Sequence, residues 1–71
     1  MKTGDKVKII SAPVVHDNEY GQLQIDKTIG YIGNIQQVYK NGDRPIVVAG
    51  YSHSVSFFQN YYNPENLELI P

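Results

Sequence analysis

The stretch IGYIGNIQQV, residues 29–38, is the longest β-rich segment of the chain, and two glycines interrupt it. Glycine inside a strand is unfavourable unless the strand bends or bulges, as strands do at the corners of small barrels. Under period-two alternation the apolar residues divide between two faces, Ile29, Tyr31 and Ile35 on one and Ile32 and Val38 on the other. We therefore predict a central strand whose phase shifts near Gly33.

Composition limits the size and the chemistry of the protein. The chain has 71 residues, which predicts one domain, residues 1–71, with a marginal core that needs added support. It has no cysteine, which excludes disulfides and thiolate metal sites, so we expect a partner subunit to supply that support. The net charge of −1 argues against sequence-independent binding of nucleic acid or anionic membranes. We expect a soluble, intracellular protein, since no apolar run is long enough to span a membrane.

The first third of the chain predicts one strand and a long connection. Strict alternation predicts a strand over residues 6–10 with Val7 and Ile9 facing inward. Residues 11–27 are polar and rich in turn formers, which predicts a long loop, and loops of this length usually serve binding. Within this loop, the exposed apolar pair Val14 and Val15 either folds back over the barrel or contacts a partner.

The second half predicts three more strands. Asn41-Gly42 is typical of a hairpin turn, and the apolar run 46–49 after it predicts the third strand. Residues 50–53 are predicted to turn. A fourth strand is then predicted over residues 54–58, because Val55 and Phe57 alternate there with serines.

The end of the chain completes the expected architecture. Asn63-Pro64-Glu65 predicts a single helical turn, and residues 67–70 predict a short fifth strand. No longer helix is expected. These elements predict an all-β fold, a small five-stranded antiparallel Src-homology-3-like barrel, partly open, with one short helical turn before the last strand.

Catalytic and metal-binding patterns are weak. Ser52-His53-Ser54 lies in a predicted turn, and nothing in the sequence indicates the orienting acid that a catalytic triad needs. His16, Asp17, Glu19 and His53 lack the spacing of metal ligands. We therefore expect that the chain is not an enzyme by itself.

The aromatic residues are more informative. The chain has six tyrosines and two phenylalanines, and Phe57 with Tyr31 is expected to fill so small a core. Tyrosines in predicted loops are then expected to be exposed, as interface residues or as ordinary surface residues; these are Tyr20, Tyr51, Tyr61 and Tyr62. Arg44, the only arginine, suits a carboxylate across an interface or a surface pairing with an acidic neighbour.

Several short patterns together resemble one family, the variable (alpha) chain of ferredoxin-thioredoxin reductase. They are Gly4-Asp5-Lys6-Val7-Lys8, Ser11, Val14-Val15-His16, Gly30 and Gly33, Gly42, Arg44-Pro45-Ile46, Val55 and Phe57, Pro64-Glu65, and Leu69-Ile70. The resemblance covers nearly the whole chain. The Gly-Asp opening is shared with a related barrel, the peripheral ferredoxin-docking subunit of photosystem I.

The resemblance implies a non-catalytic subunit of an oxidoreductase. Such a chain binds no cofactor itself and forms a heterodimer with a catalytic subunit, which carries the [4Fe-4S] cluster and the disulfide that passes electrons from ferredoxin to thioredoxin in photosynthetic redox regulation. It implies the cytoplasm of a photosynthetic prokaryote or, for a mature form, the chloroplast stroma. The interface it implies includes Val14, Val15, His16, Arg44, Pro45 and Ile46; Tyr20, Tyr51, Tyr61 and Tyr62 join them on the exposure argument.

Two other functions stay open at this point. One is the peripheral photosystem I subunit, which would associate with thylakoids. The other is a general interaction barrel that recognises peptide or RNA through Tyr51, Tyr61 and Tyr62, because stacking surfaces serve such ligands.

Overall fold

The structure, a computed structural model, describes residues 1–15, 18–52 and 56–71. In this part of the chain five strands form one antiparallel sheet: β1 Lys6–Ile9, β2 Ile32–Val38, β3 Ile46–Ser52, β4 Ser56–Tyr62 and β5 Leu67–Leu69. The strand order β4-β3-β2-β1-β5 puts β2 at the centre. The predicted five-stranded, partly open barrel with its central strand is therefore confirmed. The predictions made for His16, Asp17 and residues 53–55 lie outside the described residues.

Two helical elements accompany the sheet. The 3-10 helix η1, Pro64–Asn66, confirms the predicted turn before the last strand. The expectation of no longer helix is wrong, because residues Glu19–Asp26 form the α-helix α1 within the predicted loop. The side chain of Asn18 caps this helix by accepting a hydrogen bond from the backbone N–H of Gly21 at 2.8 Å.

The central strand bends later than predicted. The pairing of β2 with β3 shifts register between Ile35 and Gln37, so the irregularity follows Gly33 instead of coinciding with it. Ile35 faces the core and Tyr31 packs against it, as predicted, whereas Ile29 is exposed. Gly33 serves a different purpose: a Cβ there would lie 2.7 Å from the Ala49 carbonyl oxygen. Glycine is therefore required by the close approach of β3.

The hairpin after β2 is confirmed, but it is wider than a two-residue turn. The backbone N–H of Tyr39 donates to the Pro45 carbonyl at 2.8 Å and closes the loop. Gly42 has a φ of +102°, the conformation for which glycine was expected in the turn. Arg44 also has a positive φ of 51°, which is uncommon for a residue with a side chain.

The fourth strand has the opposite phase to the prediction. Phe57 is 61% exposed, whereas Phe58 is 9% exposed and belongs to the core. The reason is the register of the β3–β4 hairpin, which pairs Gly50 with Phe58 and Tyr51 with Phe57. Gly50 to Ser52 therefore continue β3 instead of forming the predicted turn.

The position of Tyr62 also differs from the prediction. It was expected to be exposed in a loop, but it is the last residue of β4 and is fully buried. Its hydroxyl lies 2.6 Å from Thr28 Oγ1, which itself donates to the Ile25 carbonyl, so the Tyr62 hydroxyl donates to Thr28. Burial raises the pKa of the Tyr62 phenol above its ordinary value of 10.0.

Candidate functional site

A cleft of about 590 Å³ lies where three connections of the chain meet. The segment before α1, the β2–β3 loop and η1 form its walls. The lining residues are Ala12, Pro13, Val14, Val15, Asp43, Arg44, Asn63, Glu65 and Asn66. The cleft therefore joins parts of the chain that are about fifty residues apart in sequence.

The first wall is held in place by one glutamine of α1. The Gln22 side-chain oxygen accepts from the Val15 backbone N–H at 2.7 Å, and its nitrogen donates to the Pro13 carbonyl at 3.1 Å. The same nitrogen lies 2.8 Å from Asp26 Oδ1. Val14 lies between Pro13 and Val15, the two residues bonded to Gln22, and its side chain is 69% exposed. The side chain of Val15 packs against the core. The helix therefore presents Val14 to solvent at a set position.

The other two walls are joined by asparagine side chains. The Arg44 backbone N–H donates to Asn63 Oδ1 at 2.9 Å, which holds the unusual positive φ of Arg44. The Asn63 backbone N–H donates to Asn66 Oδ1 at 2.8 Å, and Asn66 Nδ2 donates to Ser11 Oγ at 2.9 Å. Asn66 is buried, so these bonds satisfy an amide that would otherwise be costly to remove from water.

The lining of the cleft suits a protein surface better than a Pro-rich peptide. Pro-rich ligands dock in aromatic-lined grooves, and none of the residues that line this cleft is aromatic. Val14 offers apolar area, whereas Asp43, Arg44 and Glu65 add charges of both signs. Within residues 1–15, 18–52 and 56–71, no group of three histidine, aspartate or glutamate side chains is arranged to hold a metal ion.

The structure divides the predicted interface residues into separate locations. Val14, Val15 and Arg44 line the cleft, and Pro45 follows directly behind Arg44, half-buried. Ile46 and Tyr62 are buried in the core and are not available at the surface.

The other tyrosines predicted at the interface, Tyr20, Tyr51 and Tyr61, do not line the cleft. Tyr20 is exposed on α1. Tyr51 in β3 and Tyr61 in β4 are 65% and 49% exposed, on strands instead of the predicted loops. They belong to the outer face of the sheet, opposite the core.

Three residues that build the cleft were not predicted as site residues from the sequence, namely Gln22, Asn63 and Asn66. Asn63 was predicted to begin the helical turn, because asparagine before proline and an acidic residue is typical of the start of a helix, but its bond with the Arg44 N–H was not predicted. Nothing in the local sequence distinguishes Gln22 from the other polar residues around it.

The chain matches no protein-family model, and no curated protein sequence matches it. Among the residues that the structure describes, no helix is both long and apolar enough to cross a membrane.

Proposed function

We propose that this chain is the non-catalytic variable subunit of a ferredoxin-thioredoxin reductase. In this role it caps and stabilises the iron-sulfur subunit that passes electrons from ferredoxin to thioredoxin. One observation carries the proposal: Val14, Val15 and Arg44, three positions on which the family resemblance depends, lie around the same cleft although Val15 and Arg44 are 29 positions apart in sequence.

The cleft has properties that favour docking of a protein partner. Val14 is exposed and apolar, so covering it removes apolar surface from water. The guanidinium of Arg44 suits a partner carboxylate, which it can bind through two parallel hydrogen bonds. Gln22, Asn63 and Asn66 already fix the backbone around these residues, which lowers the entropy lost on binding.

In the proposed complex the partner subunit carries out the redox chemistry. This chain has no cysteine with which to hold an iron-sulfur cluster. Its contribution is to cover the partner near the cluster, where restricted solvent access alters the stability and potential of the metal site.

The direct test is binding between this chain and a purified catalytic subunit of ferredoxin-thioredoxin reductase, measured by titration calorimetry. We expect a one-to-one complex, and Val14→Asp should weaken it at least about tenfold, as expected for a buried apolar contact at an interface. The matched control is Ile29→Asp, which places the same charge on another exposed aliphatic residue that does not line the cleft.

Two results would contradict the proposal. One is no measurable binding by the unaltered chain. The other is an equal loss of affinity in Val14→Asp and Ile29→Asp, because the cleft would then have no special part in the contact. Circular dichroism of both variants establishes that they are folded before binding is compared.

A further inference from the structure

Strands β2, β3 and β4 contain no charged residue, although the chain carries six basic and seven acidic residues. Their outer face carries polar, aromatic and aliphatic side chains. Tyr51 and Phe57 are directly paired across β3 and β4 and make an edge-to-face contact with 5.6 Å between ring centroids. Depletion of charge together with exposed aromatic side chains is the compositional mark of a protein interface.

The strand β4 is also an edge of the sheet. It pairs with β3 in continuous register over all seven of its residues and ends the strand order. Within the described part of the chain, its only main-chain bonding partner is β3. Alternate N–H and C=O groups of an edge strand point outward and are free to pair with another strand.

The two edge strands, β4 and β5, differ in length and in charge. β5 has three residues with Glu68 at its centre, and short length and charge are the usual protections of an edge. β4 has seven residues, and it contains no lysine, no proline and no register shift against β3. An edge of this kind is suited to strand addition.

The sequence of β4 is complementary to itself. Its outward-facing residues Phe57, Gln59 and Tyr61 are all exposed, with Gln59 at the midpoint of Ser56–Tyr62. If two copies pair antiparallel about Gln59, each Phe57 lies opposite Tyr61 of the other copy. Aromatic cross-strand pairs stabilise a sheet, and a strand without charges brings no like charges together at the twofold axis.

We infer that β4 is a homotypic interface, at which a second copy of this chain adds its own β4 antiparallel, with Gln59 on the twofold axis. The two five-stranded sheets then continue into one another. The Tyr51–Phe57 pair of each copy lies beside the new seam on the same side of the sheet. None of the residues 56–61 lines the cleft, so this inference is independent of the proposed function.

The test is sedimentation equilibrium of the unaltered chain and of Gln59→Lys and Gln59→Glu. The unaltered chain should show a concentration-dependent dimer. Each variant should raise the dimer dissociation constant at least about tenfold, because identical charges meet at the axis. An equimolar mixture of the two variants should dimerise again, since a lysine then faces a glutamate.

The matched control is Gln37→Lys, which makes the same change at an exposed position of β2, away from the edge. This variant should remain dimeric. The inference is overturned if the unaltered chain stays monomeric up to about 1 mM, a concentration at which even weak specific contacts are populated. It is also overturned if Gln37→Lys dissociates as fully as Gln59→Lys, or if the mixture does not dimerise.

A second measurement does not depend on charge. The chain has no cysteine, so Gln59→Cys introduces a single thiol. Residues paired across antiparallel strands lie within the Cα separation that a disulfide spans. Mild oxidation should therefore give a covalent dimer in high yield, and a persistently monomeric product would overturn the inference.

Discussion

The cleft and the β2–β3–β4 sheet are stabilised in different ways. The cleft is assembled from loops, and side-chain amides of Gln22, Asn63 and Asn66 supply the bonds that hold them. The sheet is held by strand pairing, which is uninterrupted between β3 and β4, and by apolar packing on one side. Loss of a polar group should therefore loosen the cleft locally, whereas added volume in the sheet should destabilise the whole domain.

The tightest point of the sheet is the approach of two glycines. A Cβ on Gly33 would lie 2.7 Å from the Ala49 carbonyl oxygen and 3.1 Å from the Phe58 ring. A Cβ on Gly50 would lie 3.0 Å from Gly33 Cα. Phe58 covers this site from the core, so neither the backbone nor the ring has room to move away.

The largest effect is expected for Gly33→Ala. The added methyl group should cost about 3 kcal/mol of unfolding free energy, because backbone and ring must both shift. Chemical unfolding followed by circular dichroism measures this value. The control is Asn34→Ala, at the exposed neighbouring position of β2, where the change should stay within about 0.5 kcal/mol. Equal stability of Gly33→Ala and the unaltered chain would show that the close approach is unimportant.

The next effect is expected on the cleft side, for Asn66→Ala. This change removes the acceptor for the Asn63 N–H and the donor to Ser11, and should cost about 2 kcal/mol. The control Ser11→Ala removes only the second bond and should cost about 1 kcal/mol. Amide hydrogen exchange should show the Asn63 N–H losing protection in Asn66→Ala alone. Unchanged protection there would mean that the amide does not hold the cleft.

The smallest effect is expected for Tyr62→Phe, which retains the ring and removes the hydroxyl bonded to Thr28. Near neutral pH the loss should be about 1 kcal/mol. The control Tyr61→Phe removes a half-exposed hydroxyl from the adjacent residue and should change stability by less than about 0.5 kcal/mol. A cost in Tyr61→Phe as large as in Tyr62→Phe would contradict the importance of the buried bond.

The pH dependence of the unfolding free energy gives a second test of the buried Tyr62 hydroxyl. Its pKa is raised above 10.0 by burial, so above about pH 10 the unfolded chain loses the phenol proton before the folded chain does. The folded state then binds more protons, and stability falls as pH rises from about 10 through the raised pKa. Unfolding free energies measured across this range should fall less steeply in Tyr62→Phe. An identical slope in both proteins would contradict the assignment.

Local patterns predicted most of the fold. Alternation identified Val7 and Ile9 as inward-facing, and Asn41-Gly42 identified the hairpin between β2 and β3. They failed at α1, whose eight residues have little apolar periodicity and include a glycine. They also failed in β4, where Phe57 and Phe58 are adjacent and alternation alone does not select which one faces inward.

The candidate site was predicted only in part. Val14, Val15 and Arg44 could be named from the sequence, but their meeting in one cleft depends on bonds between distant segments, such as Arg44 with Asn63. Tyr62 was assigned to the surface because loop and strand were confused at the end of β4. The self-complementary pattern of β4 became visible only once its register and its edge position were known.

Residue pattern and composition alone predict the number of strands, their antiparallel order along the chain, the turn before the last strand and the absence of thiol chemistry. Those properties follow from alternation, turn residues and composition, which act over a few neighbouring residues. Only the folded chain shows which aromatic residues are buried, where the loops converge and which strands form the edges of the sheet. Those properties depend on contacts between residues far apart in the chain, and the free energy of such contacts is set by packing and register.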